Sequence, residues 1–153
     1  MDHKPRVLFF STGDSSRSQM AEGFLREFAG DDVIPVSTAV RSPDRSPLAV
    51  EVMKEVGVDI SHQQAEDVRQ TLKEHFSYVI SLCDSRKERF PIWPFTRNLL
   101  RWSLIDPETA SGSADQQREI GSQCNVLRPF RHGARASPSV RGRWPLCYAC
   151  PRK

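Results

Sequence analysis

The sequence lacks the features that would assign it to a membrane or a disulfide-rich class. No apolar run approaches the ~20 residues that a membrane-spanning helix needs, and the first apolar run, residues 7–10, has only four members before a polar turn. We therefore expect no membrane partner and a cytoplasmic location. Cysteine is scarce: three of the four, Cys124, Cys147 and Cys150, lie near the carboxyl terminus, so the main part of the chain has no disulfide framework.

Acidic residues are missing from the last 34 positions. All 19 Asp and Glu lie at or before Glu119, together with 15 of the 22 Lys and Arg, so residues 1–119 have a net charge of −4. Residues 120–153 carry seven basic residues and no acid, with frequent Gly and Pro and no helical or strand period. We predict one globular domain over residues 5–119, followed by a basic, irregular or disordered tail over residues 120–153.

The tail allows two interpretations. Its positive charges, with Phe130, Trp144 and Tyr148, could bind nucleic acid or an acidic surface, and nucleic acid is expected as a partner only through this segment. A shifted reading frame or an altered gene end would produce the same abrupt change of composition. Cys147 and Cys150 have the spacing of half a zinc site, but no second pair of that spacing accompanies them, so we predict no metal site and no cofactor.

Strand and helix patterns alternate through the domain, which predicts an α/β fold, a three-layer parallel sheet with helices on both faces. The predicted elements are a strand over 6–10, a helix from Ser18 to a stop at Gly30, a strand over 33–37, a helix capped by Ser46 and ending at Gly57, an amphipathic segment over 65–76, a strand over 77–84, a proline-broken loop over 91–98 and a short strand stopping at Asp106. A sheet covered on both faces would need one more helix, but the tail has no helical pattern, so we expect this final helix to be missing.

The turn after the first strand has the composition of an anion-binding loop. In open parallel sheets ligands gather at the carboxyl ends of the strands, where a tight loop entering a helix presents free backbone N–H groups. Gly13 permits close approach of the backbone, and Arg17 supplies a fork suited to a tetrahedral oxyanion. The hydroxyls that could orient this loop are those of Ser11, Thr12, Ser15, Ser16 and Ser18. Composition alone is equally compatible with a plain hydrophilic connection.

The stretch "VLFFSTGDSSRSQMAEGFLR" resembles the loop and first helix of the low-molecular-weight protein tyrosine phosphatase superfamily, most closely its thioredoxin-coupled arsenate reductase branch. The resemblance spans roughly residues 5–119. It implies a nucleophilic cysteine at the position of Ser11, and Ser16 stands where a second loop cysteine is common. Asp14 replaces the usual asparagine. The positions that match are Arg17, Ser18, Met20, Ala21 and Glu22.

The resemblance also assigns roles outside the loop. Asp106, in an Asp-Pro pair, would be the general acid, and the absence of tyrosines after it favours the reductase branch. Reductases of this branch pass oxidation to two further cysteines. Cys83 matches the first, but Phe90 stands at the second, so a disulfide relay cannot run and coupling to thioredoxin is not expected. Cys83 is then a remnant or an ordinary buried cysteine.

Serine is a poor substitute for the nucleophile. Ionising a thiol of pKa about 8.5 at neutral pH requires only about 2 kcal/mol, whereas an alcohol near water's 15.7 requires about 12 kcal/mol. We therefore expect a catalytically impaired protein that binds phosphate, arsenate or a similar oxyanion through residues 11–18. The alternatives are a weakly active phosphatase or arsenate reductase, with Ser11, Arg17 and Asp106 as catalytic residues, and a binding protein that acts through its tail.

Overall fold

A five-stranded parallel sheet forms the centre of the protein. The computed structural model describes residues 4–12, 15–41, 44, 46–83, 92–102 and 104. The strand order is β3-β2-β1-β4-β5, which puts β1 in the middle. The strands are β1 (Arg6–Ser11), β2 (Ile34–Ala39), β3 (Glu66–Asp67), β4 (Phe76–Ser81) and β5 (Thr96–Arg101). The predicted α/β fold with a parallel sheet is confirmed. The expected loss of the final helix concerns residues outside the described part.

Three helices connect the strands in the part of the chain that the structure describes. They are α1 (Ser16–Ala29), α2 (Pro47–Glu55) and the single turn α3 (Val68–Thr71), and a 3₁₀ turn, Gly30–Asp32, follows α1. The predicted cap of α2 and the predicted glycine stops of α1 and α2 are confirmed: Ser46 Oγ accepts the Ala49 amide, and Gly30 and Gly57 adopt positive φ values of 52° and 81°. Helix α1 begins two residues earlier than predicted. None of these helices has the length and apolar character needed to cross a bilayer.

Alternate residues of β1 divide the core between the two faces of the sheet. Leu8 and Phe10 pack in a cluster that Val68 and Leu72, in and just after α3, cover from one side. Val7 and Phe9 point to the opposite face, where they pack in a cluster with Ala21 of α1. This is the pattern of a strand buried on both sides, and it explains why residues 7–10 are continuously apolar. A third cluster joins α1 to α2.

Three other sequence predictions were wrong in their extent. Residues 65–76 were expected to form one amphipathic segment, but Glu66 and Asp67 instead pair with the end of β2 and α3 is only one turn long. Residues 96–98, expected in a loop, begin β5, because the backbone there pairs with β4 despite the preceding prolines. β5 ends at Arg101 rather than near Asp106, since its partner β4 ends at Ser81. Asp106 lies outside the described residues.

Pro35 is tolerated in β2 because its backbone nitrogen faces away from β1. Ile34 N–H donates to Pro5 O and Val40 N–H to Ser11 O, so the even-numbered residues of this strand face β1. The backbone nitrogen of Pro35 faces the side of β3, which pairs with β2 only at Thr38 and Ala39. A residue without an N–H group therefore sits at a position that does not need one.

Gly23 allows the segment after α2 to approach α1 closely. A Cβ atom at this position would lie 2.5 Å from Ile60 Cγ2 and 3.0 Å from Gln63 Oε1. Ile60 is fully buried and its branched side chain has little room to move. We expect Gly23→Ala to lower the free energy of unfolding by about 1–3 kcal/mol, although alanine is the better helix former.

Urea denaturation measures this effect of Gly23→Ala. In an Ile60→Ala background the same substitution should cost clearly less, because the clashing methyl group is gone. Equal losses in both backgrounds would show that the close contact with Ile60 is not the cause.

Candidate functional site

The loop between β1 and α1 lies at the carboxyl-terminal edge of the sheet. Ser11 ends β1, Thr12 follows it, and Ser15 is the N-cap residue of α1; Gly13 and Asp14 lie outside the described residues. The Ser15 hydroxyl makes no capping bond but donates to Asp44 O at 2.5 Å. The first hydrogen bond of the helix runs from Gln19 N–H to Ser15 O. The amides of the first turn therefore have no partner within the helix, as at any helix start.

A chain of hydroxyl groups fixes the direction of the Ser11 proton. Ser18 Oγ donates to Ser15 O at 3.0 Å, and Ser11 Oγ lies 3.2 Å from Ser18 Oγ. A serine hydroxyl has a single hydrogen, and that of Ser18 is used by the carbonyl group. In this bond Ser11 is therefore the donor. The chain ends on a peptide oxygen, which is not a base.

Arg17 is buried at the start of α1, with a relative exposure of 1%. Its Nη1 atom donates two hydrogen bonds, each of 3.0 Å, to Leu82 O just after β4 and to Leu104 O after β5. One edge of the guanidinium is thus held by backbone carbonyl groups from two separate segments. These contacts orient the planar guanidinium between the start of α1 and the segments that follow β4 and β5.

Cys83 lies beside the loop, at the end of the neighbouring strand. Its side chain is buried, and its thiol is 3.9 Å from Phe10 O, one residue before Ser11. The structure thus brings Ser11, Ser15, Arg17, Ser18 and Cys83 to one edge of the sheet. Ser16 begins α1 with its hydroxyl buried and without a hydrogen-bond partner among the described residues. Phe90 and Asp106 lie outside those residues.

The two histidines of the described part lie at the opposite edge of the sheet. His75 precedes β4, and its ring lies tilted by 47° against that of Phe95, with 4.9 Å between the ring centroids. The six residues of β4 put it on the order of 20 Å from Ser11. His62 lines a groove with Arg6 and Ile34, the first residues of β1 and β2. Neither imidazole is placed to accept the Ser11 proton.

That groove, of about 580 Å³, runs along the edge of β2 that β3 leaves uncovered. Glu66 lines it, and partial burial raises the pKa of this carboxyl group; Glu74 and Glu22 raise it further, while Arg6 lowers it. Arg6 also forms an ion pair with Glu74 at 2.5 Å. Among the described residues, no three His, Cys, Asp or Glu side chains are grouped so that they could hold a metal ion.

The raised pKa of Glu66 predicts a pH-dependent effect of Glu66→Gln. A carboxyl group whose pKa is higher in the folded state opposes folding when it is ionised, and this cost disappears as the pH falls through the folded pKa towards the ordinary value of 4.5. We expect the variant to be more stable than the wild type at pH 7 and equally stable below pH 4.5. Thermal unfolding across this range measures the difference.

Glu27→Gln, on the exposed side of α1, is the matched control for Glu66→Gln. It should not reproduce the gain in stability expected of Glu66→Gln at pH 7. A Glu66→Gln protein that is less stable than the wild type at pH 7 would contradict the prediction.

The groups that hold the site residues in place could not be predicted from the sequence. The carbonyl oxygens of Leu82, Leu104 and Asp44 bind Arg17 and Ser15, and no side chain signals them. Ser18, predicted only as one loop hydroxyl among several, is the direct partner of Ser11. The spacing of seven residues between them was the only available signal.

The parallel sheet and the loop that runs from β1 into a buried arginine define a class of α/β protein with a candidate anion site at the carboxyl edge of its central strand. The model of the low molecular weight phosphotyrosine protein phosphatase family matches residues 6–107. The chain belongs to this family.

Comparison with individual proteins agrees with the family. The chain is 33% identical over 115 residues to an arsenate reductase of Halalkalibacterium halodurans, covering 75% of this chain and 83% of that protein. A solved arsenate reductase in the phosphate binding state superposes with a TM-score of 0.65 and 29% identity, covering 83% of this chain and 97% of the other. A low molecular weight protein tyrosine phosphatase from T. tengcongensis gives a TM-score of 0.58 and 25% identity over the same shares.

Proposed function

We propose that this chain binds a tetrahedral oxyanion such as phosphate or arsenate in the loop between β1 and α1, with little or no turnover. The observation that carries the proposal is the buried Arg17, fixed by two carbonyl groups beside the end of β1. A buried guanidinium at the start of a helix is a strong site for an anion. A solved relative in a phosphate binding state supports this choice of ligand.

The anion would be bound by groups on three sides. Arg17, whose Nη1 atom is held by two carbonyl groups, would supply the positive charge of the site. The amides of the first turn of α1 would supply further donors, because the Ser15 hydroxyl is turned to Asp44 instead of capping them. The buried hydroxyl of Ser16 would gain a partner that it lacks among the described residues. Thr12, Gly13, Asp14 and Ser18 complete the proposed loop.

The hydroxyl chain supports the second half of the proposal, the low turnover. To attack a phosphorus or arsenic atom, Ser11 would have to lose its proton, but that proton is directed to Ser18, which itself donates to Ser15 O. None of these hydroxyl and carbonyl groups can accept a proton at neutral pH. Asp106, if it acts as a general acid, would assist the leaving group and not the nucleophile.

Reduction of arsenate would face a further obstacle. Cys83 lies close to the loop, with its thiol 3.9 Å from Phe10 O, but the resemblance places the other relay sulfurs at Ser11 and Phe90. A disulfide relay that passes electrons from thioredoxin needs a second sulfur for each exchange. We therefore propose that this chain does not reduce arsenate.

Titration calorimetry with millimolar phosphate tests the binding. The wild type should bind, and Arg17→Lys should bind at least about tenfold more weakly, because a lysine ammonium lacks the fork that pairs with two oxygens. Arg26→Lys, on the exposed side of the same helix, is the matched control and should bind like the wild type. Absence of binding to the wild type would end the proposal.

Hydrolysis of p-nitrophenyl phosphate tests the turnover. Wild type and Ser11→Ala should both stay at the uncatalysed rate. A wild-type rate that is above this background and is lost in Ser11→Ala would instead establish a serine-dependent phosphatase, the alternative activity.

A further inference from the structure

We propose that the groove along β2 is a second binding site and that it takes an amino acid or an amino acid amide. In such a molecule an ammonium group lies close to a carboxylate or amide oxygen. The volume of the groove, about 580 Å³, is in the range of small-molecule sites. None of the described residues of the first loop lines this groove, so the site is separate from the proposed oxyanion site.

Three buried polar side chains line the groove, and each has an atom without a hydrogen-bond partner among the described residues. They are Ser37 of β2, with a relative exposure of 1%, Glu22 of α1, with 5%, and Gln63 after α2, with 8%. The atoms are Ser37 Oγ, Glu22 Oε2 and both polar atoms of the Gln63 amide. Buried groups without partners oppose folding. Their concentration in one groove points to a ligand that binds them.

The three side chains come from elements that contact one another. Gln63 lies against α1, because its Oε1 atom is 3.0 Å from the position that a Cβ atom would take at Gly23, the residue after Glu22. Arg26 donates to the Oε1 atom of Glu22, which leaves the Oε2 atom for a ligand. Helix α1 also packs on β2, the strand that carries Ser37. One small molecule in the groove is therefore within reach of all three side chains.

The groups without partners define the chemistry of the ligand. Glu22 Oε2 and Gln63 Oε1 need a hydrogen-bond donor, whereas Gln63 Nε2 needs an acceptor. The Ser37 hydroxyl can use either kind of group. A ligand that satisfies all of these atoms must carry donors and acceptors close together, as an amino acid or its amide does.

The charges around the groove favour a positively charged donor. Three carboxyl groups line it, those of Glu22, Asp59 and Glu66, against two arginines, Arg6 and Arg26. Arg26 is already paired with Glu22, and Arg6 is paired with a carboxyl group outside this set. The donor end of the ligand should therefore be an ammonium group, and hydrogen bonds from it to a carboxylate are among the stronger ones.

Titration with glycinamide, followed by the backbone amide NMR signals of the protein, tests the site. At pH 6.5 this probe carries an ammonium group beside an amide group. The wild type should bind it with a dissociation constant on the order of millimolar, as expected for so small a molecule. The shifted signals should include those of Val36, Ser37 and Gln63. N-acetylglycinamide, which has no ammonium group, should bind at least about tenfold more weakly.

Two variants test the buried polar groups. Gln63→Met and Ser37→Ala remove the atoms without partners and keep most of the side-chain volume. Each should weaken glycinamide binding by about fivefold, the loss of one hydrogen bond, and neither should lower the free energy of unfolding in the absence of the probe. Gln70→Leu, exposed on α3, is the matched control and should bind like the wild type.

Absence of glycinamide binding to the wild type would overturn the inference, whatever the result with phosphate. Binding of equal strength in Gln63→Met and the wild type would also overturn it. A Gln63→Met protein that is less stable than the wild type without the probe would show that ordered water already satisfies the amide, which is the third contrary outcome. Weaker binding in both groove variants, at undiminished stability, is the expected result.

Discussion

Ser11→Cys is expected to raise the rate of p-nitrophenyl phosphate hydrolysis by at least about a thousandfold over the wild type. The reason is the cost of forming the attacking anion, which is about 2 kcal/mol for an ordinary thiol and about 12 kcal/mol for an alcohol at neutral pH. Ser18, whose hydroxyl now donates to Ser15 O, would then donate to the thiolate instead. The two serine Oγ atoms, of residues 11 and 18, are 3.2 Å apart in the wild type. Initial rates at several protein concentrations measure the gain.

Ser16→Cys is the matched control for this gain, since it places a thiol in the same loop at a position that is not expected to attack. It should stay at the background rate. Adding Ser18→Ala to Ser11→Cys should raise the pKa of the new thiol by about one to two pH units, because a hydrogen bond to a charged group contributes about 1.5–3 kcal/mol. A Ser11→Cys protein no faster than Ser16→Cys would show that the rest of the catalytic site is not intact.

Arg17→Ala is expected to lower the free energy of unfolding by about 3 kcal/mol. The substitution empties a fully buried volume and leaves Leu82 O and Leu104 O without their charged donor. It also disconnects the start of α1 from the segments that follow β4 and β5. Urea denaturation, followed by circular dichroism, measures the loss.

Two further variants identify the cause of the Arg17→Ala loss. Arg69→Ala, on the exposed side of α3, should change stability by no more than about 0.5 kcal/mol. Arg17→Met restores most of the volume but not the donors, so the part of the loss that remains in Arg17→Met belongs to the hydrogen bonds. Wild-type stability in Arg17→Ala would mean that the carbonyl contacts contribute nothing to the fold.

Local patterns predicted most of the elements around the site. The apolar run over residues 7–10 marked the central strand, and the cap at Ser46 and the turn at Gly57 bounded α2. The prediction failed for residues 65–76 and 96–98. Residues 66–67 form a two-residue strand in place of the expected amphipathic segment. The prolines at 91 and 94 indicated a loop where β5 begins. In both places pairing with a distant strand outweighs the local preference.

The sequence by itself determined that a loop rich in hydroxyl groups joins a buried strand to a helix, that an arginine enters that helix, and that serine stands at residue 11. These are properties of neighbouring residues and need no distant partner. Only the tertiary structure decided where the Ser11 proton points and what holds Arg17. Both depend on backbone carbonyl groups, which every residue carries, so that no residue type can mark the ones that folding brings to the site.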